Sequence, residues 1–181
     1  MTYAELNEGE PRRVARGARL AIDVGMVRVG VAASDPDGIL ASPVETLARD
    51  RSITYTRGGK IPGVLPKDIA ALRDIAEERF IRVIYLGMPK HLSGSQGASA
   101  DMALDYGDLL SKVIPGVEIR YVDERMTSVT AHQALHASGK SSKKHRSVVD
   151  QVAAVIILET ALETEKKSGE RAGTALADYL E

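Results

Sequence analysis

Apolar residues recur along the chain with two different periods, and the switch between them divides it. From Arg19 to Leu47 the spacing is that of short strands. Arg19–Asp23 is followed by Arg28–Ala33 after a gap short enough for a hairpin. Ile39–Leu47 comes next, beyond the turn Asp35-Pro-Asp-Gly38, where Pro presets φ and Gly supplies a positive one. After a polar, glycine-bearing loop from Arg49 to Gly63, strands alternate with helical spacing. Pro66 opens a helix to Arg79, Ile81–Leu86 is a strand, and Ser95–Val113 is a helix. Val117–Val122 is a strand, Thr127–Ala137 a helix, and Val148–Glu163 a last, most apolar helix. This order predicts an α/β domain with a mixed five-stranded sheet, three strands antiparallel and then two parallel, flanked by helices. Residues 1–17 read as a flexible arm, 18–163 as the domain, and 164–181 as an acidic tail that leaves the last helix and frays. No internal repeat is present.

Open sheets of this kind bind ligands beyond the carboxyl ends of their strands, and three acidic positions are expected there. Asp23 closes the first strand, where a carboxylate is costly unless paired, hydrogen-bonded or metal-bound; a turn acid in the hairpin would explain it equally. Asp123-Glu124-Arg125 closes the fifth strand, and alternation lets one of the two acids face a site while the other faces away. The pattern does not say which, and an ion pair with Arg125 would also account for the segment. Asp150 stands in the expected first turn of the last helix, where Ser147-Val-Val-Asp150 fits a capping box and so has a purely structural explanation. Three acids brought together need a counter-charge. Their oxygen ligands suit Mg²⁺ or Mn²⁺ rather than zinc, and two such ions about 4 Å apart are suited to phosphodiester cleavage.

Charge alters this picture only in its distribution. The 181 residues carry a formal net charge of −1 and no cysteine, so disulfides and zinc–thiolate sites are excluded. Residues 11–158 nevertheless hold 21 bases against 16 acids, which permits a phosphate-binding patch. Lys140, Lys143, Lys144, His145 and Arg146 form a Gly/Ser-flanked basic loop before Asp150, suited either to clamping a nucleic-acid backbone or simply to solubility. His132 and His136 lie four apart without a third ligand in view, and His91 follows a glycine loop; all three read as ordinary polar positions. No apolar run nears the roughly 20 residues a bilayer span needs, and no secretory signal opens the chain. A soluble, cytoplasmic protein without membrane attachment is expected.

Four segments resemble, in order, the motifs of the YqgF/RuvX family of pre-16S rRNA nuclease and Holliday junction resolvase-like proteins. They are Asp23-Val-Gly-Met-Val-Arg-Val-Gly-Val-Ala-Ala-Ser-Asp35, Gly87-Met-Pro89 with Gly94 and Gly97, Asp123-Glu-Arg-Met-Thr-Ser-Val-Thr-Ala131, and Val149-Asp-Gln-Val-Ala-Ala154. The segments run from Asp23 to Ala154, and the resemblance covers roughly residues 18–162. The resemblance implies an RNase H-like fold with Asp23, Glu124 and Asp150 as catalytic, metal-binding acids. It places Arg28 and Arg125 near substrate phosphates and the Gly87–Pro89 loop at the substrate. Met88 replaces the family's usual Leu, and Val27 stands where a basic residue is common.

Three activities follow as expectations. The first is a metal-dependent endonuclease acting on structured nucleic acid, with the 5′ end of precursor 16S rRNA as substrate. The second is resolution of branched DNA, which would call for a homodimer rather than a monomer to place two sites. The third is a non-catalytic RNA-binding assembly factor. The Asp-x-Gly hairpin is also similar to the opening of actin-like ATPases, but 181 residues leave no room for their second lobe.

Overall fold

The computed structural model describes residues 13–89, 97–123 and 142–180, with the backbone alone described in 142–150. Six strands form one sheet in the order β3-β2-β1-β4-β5-β6. β1 (Ala18–Val24), β2 (Arg28–Ser34) and β3 (Ala41–Ala48) are an antiparallel meander. β4 (Ile81–Met88) lies parallel to β1, and β5 (Glu118–Asp123) parallel to β4. The helices are α1 (Lys67–Glu78), α2 (Ala98–Val113), α3 (Ser142–Ser168) and the single turn α4 (Leu176–Tyr179). The expected helix Thr127–Ala137 lies outside the described residues.

Side-chain alternation sorts the strands into two cores. Leu20, Ile22, Val29, Val31, Ile84, Leu86 and Tyr121 pack with α1 and α2 on one face. Ala21, Ala32, Val83, Tyr85 and Val122 pack on the other with Ala154, Ile157, Leu158, Ala161 and Leu162 of α3. That helical spacing of i, i+3, i+4, i+7 and i+8 is one continuous stripe along α3. The Asp35 turn forms as its residues dictate: the Asp35 carboxylate accepts from the amides of Asp37, Ile39 and Leu40, and Gly38 takes φ +67°.

Three expectations need correction. The sheet has six strands, because Thr174–Ala175 forms β6 against β5. Two residues are too few to show a period, so nothing in the pattern announced them. The stretch expected to fray instead docks. Arg120 donates to the carbonyls of Ala172 and Gly173, and Gly173, at φ +67°, passes so near the Tyr121 carbonyl that a Cβ would sit 2.0 Å from its oxygen. Finally, α3 begins at Ser142 rather than Val148, so Lys143, Lys144 and Arg146 are helical, not part of a loop. Good intrinsic helix formers, Lys and Arg, extend it backwards past the apolar run.

One buried cluster fastens α3 to the sheet. Arg19 of β1 donates to Glu165 of α3 through Nε and Nη2 at 3.1 and 2.8 Å, and Arg171 Nη1 donates to the same carboxylate at 3.0 Å. The Tyr85 hydroxyl of β4 donates to it as well; burial, then the Glu165 contact, pushes that phenol well above its ordinary pKa, so the proton stays in place. Arg19 also donates to the carbonyls of Gly17 and Pro36.

The loop 49–66 is likewise tied down, over α2. Tyr55 and the Gly58 amide donate to Asp108, and Lys112 bridges Asp108, Tyr55 and the Gly59 carbonyl. Arg57 pairs with Asp101 and Asp105.

Removing one partner of a buried ion pair strands the other. Glu165→Ala is therefore expected to lower unfolding free energy in denaturant by about 3–5 kcal/mol, whereas a loss below about 1 kcal/mol would mean the cluster does not hold α3. Burial alone would raise the Asp108 carboxyl, but the bonds from Tyr55, Gly58 and Lys112 outweigh it and lower its pKa from 3.8. Its stabilisation is then complete above that value and lost as pH falls through the lowered one. Protection of the Gly58 amide in hydrogen exchange should therefore persist at about pH 4, near the ordinary carboxyl value, and be lost only at lower pH, and it should already be low at neutral pH in Asp108→Asn.

Candidate nucleic-acid cleavage site

Asp23 occupies the carboxyl end of β1 on the face covered by α3, because Leu20 and Ile22 take the opposite face and Ala21 shares its own. Its register partner on β2 is Gly30. On the other side Ile22 pairs with Leu86, so the next position of β4 beside Asp23 is Gly87, which in turn pairs with Val122. Asp23 thus stands between two residues that have no side chains, on strands that flank it. That face of the sheet is the one that α3 covers.

Arg28 opens β2 on the same face as Gly30, one pleat beyond Asp23, and is half-buried. Neither Asp23 nor Arg28 is without a partner. Gly87 is buried in β4 and Pro89 follows the strand, half-buried. Asp123 ends β5 opposite Met88, on the α1/α2 side with Met88 and Tyr121. It therefore faces away from Asp23. Glu124 and Arg125 lie outside the described residues, as do His91, His132, His136 and Lys140.

The capping-box explanation of Asp150 fails. With α3 starting at Ser142, Ser147 is interior to the helix and cannot cap it, and the first turn contains no acid. Position 150 is one helical turn before Ala154, where the sheet-facing stripe of α3 begins. The Arg19–Glu165 contact fixes where along the sheet that stripe lies. Asp23 is four strand residues, about 13 Å, from Arg19. Fifteen helical residues, about 22 Å, separate Glu165 from position 150. The helix thus continues from Glu165 towards its start for longer than β1 runs from Arg19 to Asp23, with position 150 in its first third.

Arg49 is the residue that pattern reading missed. It sits at the end of β3, its amide donating to the Val27 carbonyl at 2.8 Å and its Nη1 to the Gly25 carbonyl at 2.9 Å. Its Nε lies 3.5 Å from the buried Asp68 carboxylate and its guanidinium stacks 5.1 Å from the Tyr106 ring centre. The β1–β2 hairpin tip beside Asp23 is thus fastened to the helices on the opposite face. A cavity of about 310 Å³ under the 49–66 loop, lined by Arg49, Asp68, Tyr106 and Met102, belongs to this buttress. Nothing in periodicity distinguishes this arginine from others in a polar loop.

Residues 17–164 match the family model described as "RuvX: Holliday junction resolvase". A Streptomyces coelicolor protein named "Putative pre-16S rRNA nuclease" is 45% identical over 174 residues, 96% of each chain. A Kineococcus radiotolerans protein of the same name is 46% identical, covering 89% of this chain and 79% of its own. Among solved structures, T. thermophilus RuvC in complex with a Holliday junction substrate aligns with TM-score 0.51 at 10% identity, over 86% of this chain and 98% of that one. At that identity the likeness shows the fold, and it bears out the RNase H-like architecture. Among the described residues no helix is long and apolar enough to cross a membrane.

Proposed function

The chain belongs to the RuvX Holliday junction resolvase family, and on that premise we propose that it is a metal-dependent endonuclease. Its substrate on this reading is structured nucleic acid, with precursor 16S rRNA cut near its 5′ end in the cytoplasm, and Asp23, Glu124 and Asp150 are its metal-binding acids. One observation carries the reading. Asp23 closes β1 between Gly30 and Gly87, on the sheet face that α3 covers, and position 150 belongs to that helix.

The donor chemistry fits a hard divalent cation. Carboxylate oxygens and a chain without cysteine suit Mg²⁺ or Mn²⁺. Bound there, such an ion lowers the pKa of a coordinated water and offsets charge on the scissile phosphate. The two neighbouring glycines put no side chain beside the Asp23 carboxylate. Arg28, on the same face, supplies positive charge for a phosphate oxygen. The start of α3 adds more: Lys143, Lys144 and Arg146 place cations near a helix N-terminus, where the dipole disfavours them. A phosphate backbone bound there would relieve that repulsion and meet the helix amides at once.

The family description also favours branched DNA as an alternative substrate. Both are tested together by following Mg²⁺- and Mn²⁺-dependent cutting of a labelled precursor 16S 5′ fragment and a four-way DNA junction. Asp23→Asn is expected to keep its circular dichroism and to lose cleavage by more than the roughly 10–100-fold that removing an outer-shell partner costs. Cleavage that survives the substitution, or its absence in the unmodified chain on both substrates, would overturn the assignment and leave a binding factor.

A further inference from the structure

The hairpin tip next to Asp23 is apolar. Met26 and Val27 are 59% and 65% exposed, at the turn that joins β1 to β2. They are not displayed by a loose loop. The Gly25 amide donates to the Arg28 carbonyl at 2.8 Å, closing the turn, and a Cβ on Gly25 would lie 2.8 Å from that oxygen, so only glycine fits. The carbonyls of Gly25 and Val27, on either side of Met26, both accept from Arg49. Arg49 is itself held by Asp68 and Tyr106. The tip cannot fold back to bury its two side chains without breaking these contacts.

Two apolar side chains at an edge built to meet a polyanion add nothing to phosphate binding. What they can contact is the face of an unstacked base, and apolar wedges of this kind part base steps in nucleic-acid complexes. We infer that Met26 and Val27 form a rigid wedge that enters a base step of the substrate beside the scissile phosphate. Because parting a continuous stack is costly and an already interrupted one is not, the wedge selects branch points, bulges and mismatches over uninterrupted duplex. This inference rests on the nuclease reading for its substrate, but it is tested by binding alone.

The probe is 2-aminopurine placed at the branch of a four-way DNA junction and, separately, beside a bulge in an RNA stem. Each is titrated with the Asp23→Asn protein and with Asp23→Asn carrying Met26→Ser and Val27→Ser. Both positions are exposed, so the serine variant is expected to fold normally. Binding should raise 2-aminopurine fluorescence; the serine pair should abolish that rise and weaken binding roughly tenfold, the scale of one lost base contact. Met26→Leu with Val27→Ile should restore both. An equal rise with the serine pair, or no rise on either substrate, overturns the wedge. If the unmodified chain cuts neither substrate while the rise still depends on residues 26 and 27, the nuclease reading fails and the wedge stands. If cutting requires Asp23 but the rise ignores residues 26 and 27, the reverse holds.

Discussion

The buried contact between Arg19 and Glu165 is the constraint on which the rest of the molecule turns. Two charges taken from water into a protein interior are favourable together only when the remaining donors and acceptors are matched. Here Glu165 receives Arg19, Arg171 and Tyr85, and Arg19 spends its other nitrogen on two backbone carbonyls. An apolar stripe alone would let α3 slide by a turn along the sheet at little cost, since Ala, Ile and Leu interchange neighbours readily. A directional ionic contact at one end does not permit that, and so it sets the level reached by the other end, where Asp150 lies.

The two faces of the sheet then divide their tasks. On one, α3 covers a row in which Asp23 is flanked by Gly30 and Gly87. On the other, α1, α2 and the 49–66 loop form a buttress that reaches around the sheet edge through Arg49 to hold the hairpin tip. The tip is therefore positioned from the face opposite Asp23. Asp123 belongs with that second face, beside Met88 and Tyr121.

Much of this architecture was legible because strands with one side on each core advertise themselves by alternation. β1, β2, β4 and β5 and helices α1 and α2 lie within a few residues of where the apolar pattern puts them. Asp23 was legible as an acid closing a buried strand. Less legible were features that depend on distant partners. β6 is two residues long and exists because Arg120 and the Tyr121 backbone receive it. The start of α3 was misplaced because Ser147-Val-Val-Asp150 imitates a cap, while the basic residues before it are themselves good helix formers. By pattern Arg49 only opens a polar loop and Glu165 only belongs to an acidic tail; the fold reveals what they hold.

On the proposed reading Asp23 shares a cation with Asp150 of α3 and Asp123 takes no part. It is tested most directly by titrating Mn²⁺ into the protein, following free Mn²⁺ by electron paramagnetic resonance, for the unmodified chain and for Asp23→Asn, Asp150→Asn and Asp123→Asn. The first two substitutions are each expected to weaken Mn²⁺ binding severely, and Asp123→Asn to leave it near the unmodified level. Binding lost in Asp123→Asn, or retained in Asp150→Asn, would contradict it.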